Sequence, residues 1–353
     1  MADAVPGFIG QAAGFYALTR DAKKLLVIDI GALGDTIHLL PALRLIRDNY
    51  PHAALHLVGG HPDFYAALVP WVDVRWPPMR RPFLKNLDLI RDLRRENFDA
   101  VIVITSQNRA VLIANLIGAR YRLGRHTDEK KPWWWQPLLY THTVDYPFHR
   151  EPMYLQRWKM LKACGLHGEA PRFDVRLQPQ WLLDCGLDQA DRKTYLHLSP
   201  FYAFAGKELP MTQYVELLTT LQARYSRIVL SCGPPQRERE LLAQLLERLP
   251  FKPWRVFAGD LPVVNYVALI DAARLHLGGD SGGLHVARMV GTPSVSWYQR
   301  RIDYLNWAPD PSESALHRVL YTPSVRDDVA AGISTTDLLA TVDALLSSSS
   351  TAE

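Results

Sequence analysis

Apolar residues fall in two rhythms along this chain: continuous runs of four or five, and stretches in which they recur every three or four positions. Leu25-Leu26-Val27-Ile28 is the first continuous run, and its lack of polar alternation predicts a strand covered on both faces, as in a parallel sheet. The tight loop Gly31-Ala32-Leu33-Gly34-Asp35 follows. Ile37, Leu40, Leu43, Leu45 and Ile46 then predict a helix over 36–49. Ala54-Leu55-His56-Leu57-Val58 reads as the next strand, ended by Gly59-Gly60. A helix is expected over 84–95, with Leu87, Ile90 and Leu93 on one face. A buried strand over 100–104 and a helix over 109–117 complete the first series.

The alternation breaks over about 125–180, where Trp133-Trp134-Trp135, Lys130-Lys131, several prolines and a helix near 153–164 occur. It resumes at Thr194. Strands are expected at 195–198, 227–231, 255–257, 275–279 and 293–297, with helices at 211–225, 238–249, 263–273, 284–290 and 335–346. Strand-helix alternation in two series predicts two doubly wound α/β domains, divided at 175/176, with a disordered tail over about 347–353. Ligands of such sheets sit beyond the carboxyl ends of the strands.

The 353 residues include 48% hydrophobic and 22% charged positions, which excludes global disorder. A net charge of +4 permits an anionic ligand or membrane surface without calling for nucleic acid. Cys164, Cys185 and Cys232 are scattered and form no CxxC pair, which argues against a disulfide framework or zinc site and for a reducing compartment. No apolar run approaches the roughly 18 residues of a membrane span, and residues 1–20 lack a signal-peptide pattern.

Two glycine-bearing loops carry the chemistry. In Asp29-Ile30-Gly31-Ala32-Leu33-Gly34-Asp35-Thr36-Ile37-His38, backbone N–H groups and a helix N-terminus can approach a ligand. Asp35 is either the N-cap of that helix or a carboxylate general base, and both roles need the same oxygens. His38, one turn on, reads as a packed residue orienting the loop. In Gly278-Gly279-Asp280-Ser281-Gly282-Gly283-Leu284-His285, small residues open a helix whose positive end suits a diphosphate, although a plain glycine turn has the same pattern. Lys207, in the loop after Ser199-Pro200, is either a solvated surface residue or a point charge for that diphosphate. Arg80, Arg81 and Lys85 form a basic cluster that could meet an anionic acceptor or solvent.

Taken together, Gly34-Asp35-x-x-His38-x-x-Pro41-Ala42-Leu43 and Asp280-Ser281-Gly282-Gly283-Leu284-His285-Val286-Ala287, followed by Gly291-Thr292-Pro293, resemble the two signatures of glycosyltransferase family 9. That family contains the lipopolysaccharide heptosyltransferases. Phe98-Asp99-Ala100-Val101-Ile102 and Gly118-Ala119-Arg120-Tyr121-Arg122-Leu123-Gly124 fit as well, and the likeness spans about residues 22–345.

The resemblance implies a GT-B fold, with two facing Rossmann-like domains and the active site in the inter-domain cleft. The first domain would hold the acceptor and the second the nucleotide-sugar. It implies an inverting enzyme with no metal requirement or other cofactor. The donor would be ADP-heptose and the acceptor the inner core sugar on lipid A, reached by peripheral contact at the inner face of the cytoplasmic membrane. By position, Asp35 becomes the general base, and Gly31, Gly34, Thr36, His38, Arg80 and Arg81 the acceptor side. Lys207, Ser281, Gly282, Gly283 and His285 would serve the diphosphate, Asp280 the heptose hydroxyls, and Leu261 the adenine, with Ser199 on the same donor side. Gln236 and Glu238 are rivals for the ribose. The chain departs from the family where a tryptophan often follows the lysine: Lys207 precedes Glu208-Leu209-Pro210. Two other readings stay open. One is a family member acting on another surface polysaccharide or a protein. The other is a sugar-nucleotide-binding protein without catalysis.

Overall fold

A computed structural model describes residues 11–105, 107–126, 136–145, 151–202, 206–321 and 332–349. The Trp133–Trp135 and Lys130–Lys131 cluster singled out above lies outside the described residues. The chain divides into two units, Met1–Arg176 and Leu177–Glu353.

In the first unit a short helix α1 (Phe15–Thr19) precedes β1 (Lys24–Ile28), α2 (Leu33–Asn49), β2 (Ala54–Val58), α3 (Pro62–Leu68) and β3 (Val74–Trp76). A 3-10 turn (Phe83–Asn86) leads into α4 (Leu87–Arg95), followed by β4 (Ala100–Val103), α5 (Asn108–Ile117), β5 (Tyr121–His126), α6 (Gln136–Leu139), β6 (His142–Asp145) and α7 (Met153–Ala163). The sheet order is β3-β2-β1-β4-β5-β6, with every pair parallel. Leu25, Leu26, Val27 and Ile28 are fully buried, as a strand covered on both faces requires.

The second unit repeats the plan. It comprises α8 (Gln180–Leu183), β7 (Leu196–Ser199), α9 (Met211–Arg224), β8 (Ile228–Cys232), α10 (Gln236–Arg248), β9 (Arg255–Ala258), α11 (Val263–Ala272), β10 (Leu275–Gly279), α12 (Gly282–Val290), β11 (Ser294–Tyr298), α13 (Arg301–Trp307), β12 (His317–Tyr321) and α14 (Thr335–Ser349). Its order, β12-β11-β10-β7-β8-β9, is the same doubly wound arrangement. The strand order reverses between β1 and β4 in one unit and between β7 and β10 in the other. The loops after β1 and β10 therefore open at the two switch points, where such sheets take ligands.

Four expectations need correction. The helix after the first glycine loop begins at Leu33, so Asp35 is its third residue and not its N-cap. The region after residue 117 continues the sheet with β5 and β6. The six-residue β5 and four-residue β6 lie toward one edge and carry arginine, glycine and histidine, so they lack the apolar signature of the central strands. The fourth helix starts at Leu87, whose side chain is exposed, and only Ile90 and Leu93 of the expected face are buried. The last helix runs to Ser349, past the expected start of the tail at 347. Ser347 Oγ donates to the Asp343 carbonyl at 2.7 Å, one turn back, within the helix.

Candidate active site

The first unit gathers its chemistry around the loop after β1. At Gly31 a Cβ would overlap the Asp35 side chain, and at Gly60 one would overlap the Gly31 carbonyl, so the two glycines allow the loops after β1 and β2 to touch. Asp35 Oδ2 accepts the Ala32 amide at 3.2 Å, the back-bond expected of an acidic residue at this helical position. Its Oδ1 accepts from Arg157 NH2 at 3.2 Å, and its backbone carbonyl accepts from Arg157 NH1 at 2.6 Å. The same guanidinium reaches Asp29 through NH1 to Oδ2 at 3.4 Å and NH2 to Oδ1 at 3.5 Å.

Asp29 and Arg157 are buried, whereas the Asp35 side chain is 30% exposed. Of the three, Asp35 is the group a ligand can reach. Burial pushes the Asp29 carboxyl up to about 6, against the pull of Arg157, and Asp35 adds to the rise. Tyr65, buried on α3, donates to the Thr36 carbonyl at 3.4 Å.

His38 is fully buried, and its Nδ1 accepts the Tyr154 amide at 3.2 Å, tying α2 to α7. Gly34 and Thr36 lie in the first turn of α2. Arg80 and Arg81 are exposed on a turn held by buried Asn86, which accepts the Arg80 amide at 2.7 Å and donates to the Arg80 carbonyl at 2.9 Å. Gln107 donates to the Ile30 carbonyl at 2.8 Å and accepts from Arg109 Nε at 3.1 Å. Burial, then the nearby Arg81 charge, lowers Arg109 from its usual range.

The second unit gathers its chemistry around the N-terminus of α12. Among the described residues, Ser281, at the N-cap position with extended backbone, makes no capping hydrogen bond and its buried Oγ meets no partner. The opening amides of α12 therefore lack the side-chain acceptor a serine N-cap ordinarily provides. At Gly283 a Cβ would crowd the Tyr266 hydroxyl and stand 3.0 Å from His276 Nε2, so glycine lets the helix start lie flat on that layer. Lys207 Nζ pairs with Asp280 and lies 3.5 Å from Asp303 Oδ2, which Arg300 also approaches at 3.5 Å. His285 Nε2 is 3.7 Å from Asp280 Oδ1. Burial raises Asp280 to about 6 despite Lys207, and burial lowers His285 to about 3. The loop between β7 and α9, with Lys207, thus meets the loop after β10.

Nearby, Glu238 and Gln236 part company. Glu238 is buried and accepts the Gly233 amide at 2.7 Å through Oε2, while Gln236 turns outward to Glu240 at 2.6 Å. Leu261 lies in the loop after β9. Gly259 in that loop has φ +84°, and a Cβ there would stand 2.5 Å from the Gly233 carbonyl, so the loops after β8 and β9 pack together. Ser199 is turned inward: its Oγ lies 3.0 Å from both Ser231 Oγ and the Tyr266 hydroxyl. That network continues to His197, 2.9 Å from Ser231, and to His276, whose Nδ1 is 2.8 Å from His197 Nδ1.

Asp29, Arg157, Asp303, His197 and His276 escaped the sequence reading. Arg157 stands among Met153, Tyr154, Trp158 and Leu161 on the buried stripe of α7, and a charge on such a stripe is a usable signal. The two histidines each sit in a Leu-His-Leu strand centre and pair in register. Among the described residues no group of three or more His, Cys, Asp or Glu is placed to hold a metal ion.

Comparison with known proteins agrees with this plan. The chain is 23% identical over 342 residues to lipopolysaccharide heptosyltransferase 3 of Escherichia coli, covering 90% of this chain and 98% of that one. It is 23% identical over 283 residues to the lipopolysaccharide core heptosyltransferase OpsX of Haemophilus influenzae, covering 79% and 80%. Its fold matches that of an E. coli heptosyltransferase solved with ADP-2-deoxy-2-fluoro heptose, at a TM-score of 0.70 and 16% identity over 91% of this chain and 99% of that one. The model of glycosyltransferase family 9 (heptosyltransferase) matches residues 86–306, more than half of the 353, and this chain belongs to that family.

Proposed function

We propose that this protein is an inverting heptosyltransferase that moves a heptose from ADP-heptose to the inner core of lipopolysaccharide. Residues 1–175 take the acceptor and 176–353 the donor. The start of α12 carries the reading: amides without a serine cap, a Ser281 hydroxyl unpartnered among the described residues and the Lys207 ammonium together suit a diphosphate. The relative solved with an ADP-heptose analogue supports ADP as the nucleotide.

In this mechanism Asp35 accepts the proton of the acceptor hydroxyl. The hydroxyl oxygen attacks the anomeric carbon from the face opposite the nucleotide, the bond from that carbon to the diphosphate oxygen breaks, and ADP leaves with inversion. Lys207 and the amides of Gly282 and Gly283 stabilise the charge that grows on the diphosphate, with His285 supporting them. Asp280 holds heptose hydroxyls, Glu238 the ribose, and Leu261 flanks the adenine. The inward hydrogen bonds of Ser199 support a structural part for that side chain beneath the donor loop. The chemistry is assigned to these side chains and amides, with no cofactor beyond the nucleotide-sugar.

No helix among the described residues is long and apolar enough to cross a membrane. The lipid-linked acceptor places the enzyme in the cytoplasm, peripheral at the inner face of the membrane, where exposed Arg80, Arg81 and Lys85 can meet anionic headgroups. Calorimetric titration with ADP, UDP and GDP tests the donor assignment. ADP should bind tightest, and a preference for UDP would overturn the heptose reading.

A further inference from the structure

We propose that Arg157 is a positioning residue for Asp35, held in place by Asp29, and that these two buried groups set the orientation of the Asp35 carboxylate. The inference rests on the assignment of Asp35 as general base. Its foundation is the shape of the contact. One guanidinium spans the carbonyl of Asp35 at 2.6 Å and the Oδ1 of the same residue at 3.2 Å, so it fixes backbone and side chain of that residue together. The same two nitrogens lie along both oxygens of Asp29, at 3.4 and 3.5 Å. With side-chain exposures of 6% for Arg157 and 2% for Asp29, neither can swing into solvent. The remaining Asp35 contact, the Ala32 amide on Oδ2 at 3.2 Å, leaves lone pairs free for an acceptor hydroxyl.

The charges follow from the same arrangement. One cation stands between two carboxylates. Tyr65, from α3, is the further titratable group interacting with all three. With both carboxylates ionised the cluster of Asp29, Arg157 and Asp35 carries one net negative charge, and the proton taken from the acceptor neutralises it.

Turnover of the full-length protein tests this. Arg157→Met should lower kcat about hundredfold and leave KM for the nucleotide-sugar nearly unchanged. Asp29→Asn, which loosens the hold on the guanidinium, should lower kcat in the same direction by a smaller factor. Should Arg157→Met fail to fold with Asp29 left unpaired, Arg157→Lys keeps the cation but loses the fork. It should lower kcat about tenfold or more while leaving KM for the nucleotide-sugar near its wild-type value. Asp35→Asn is the reference. If it is inactive while Arg157→Met or Arg157→Lys turns over like wild type, the positioning role is overturned and the base survives. If Asp35→Asn turns over normally, the base assignment falls, and this inference with it.

Discussion

The second unit is expected to lose stability steeply below pH 6.5, and its histidines set the size of the loss. His197, His276, His285 and His317 are all buried. Burial lowers His276 and His285 to about 3 and His317 to about 4, and holds His197 well below its usual value, with His276 beside it. The 2.8 Å Nδ1–Nδ1 contact of His197 and His276 has room for one shared proton, so the native pair is neutral. All four stay neutral in the fold but take up protons near pH 6.5 once unfolded. Their contribution is therefore complete above 6.5 and drains away as pH falls below it.

One unit below 6.5, each histidine contributes a loss of roughly 1 to 2 kcal/mol, or about 5 kcal/mol for four. Asp280 works the other way: raised to about 6, it takes up a proton in the fold before it would unfolded, returning about 1 kcal/mol. Glu238, also raised by burial, adds to this offset. A net loss of about 4 kcal/mol is most of the stability of an ordinary domain at the low end of the usual range of roughly 5–15 kcal/mol. Urea unfolding of the nucleotide-free protein at pH 7.5 and 5.5, read by exchange protection of the β7 and β10 amides, measures it. His317→Gln should flatten the slope by about a third. An unfolding midpoint that is unchanged or higher at pH 5.5 would refute the reasoning.

Other outcomes follow from the same geometry. Lys207→Met should weaken ADP binding about tenfold or more by calorimetry, because it removes the cation of a charge-assisted contact. Adding Asp280→Asn should restore stability but not affinity, and wild-type affinity in Lys207→Met would remove Lys207 from the donor site. Gly60→Ala places a methyl on the Gly31 carbonyl, a backbone atom that cannot yield easily. It should cost about 1–3 kcal/mol in thermal unfolding and depress transfer while leaving ADP affinity intact. Charge reversal of Arg80, Arg81 and Lys85 should abolish sedimentation with anionic vesicles at low salt, and absence of wild-type binding there would count against the peripheral membrane role.

The central strands were legible because burial on both faces leaves an unbroken apolar run, as at Leu25–Ile28 and Leu275–Leu277 apart from His276. The edges were not. β3 has three residues, and β6 is four residues of His-Thr-Val-Asp, which no periodicity can separate from a loop. Both glycine loops stood out, since strand-glycine-helix junctions are local in sequence. What could not be read was long-range pairing. Asp35 and Arg157 lie 122 positions apart, and Lys207 and Asp280 lie 73 apart. Spacing near Asp35 left the N-cap and the general base both open, with the N-cap the commoner role for an aspartate there. The structure shows the carboxylate back-bonded to Ala32 and at the same time clasped by an arginine from another helix. Glu238 and Gln236 were equivalent on paper, and the turn of α10 sends only Glu238 inward to the Gly233 amide.

The most direct test of the account is ADP release from ADP-heptose in the presence and absence of a heptose-deficient lipopolysaccharide core, with Asp35→Ala alongside. The account expects release that depends on the acceptor and is lost in Asp35→Ala while ADP still binds. Acceptor-dependent release in Asp35→Ala at the wild-type rate, or none from wild type with ADP-heptose, would contradict it.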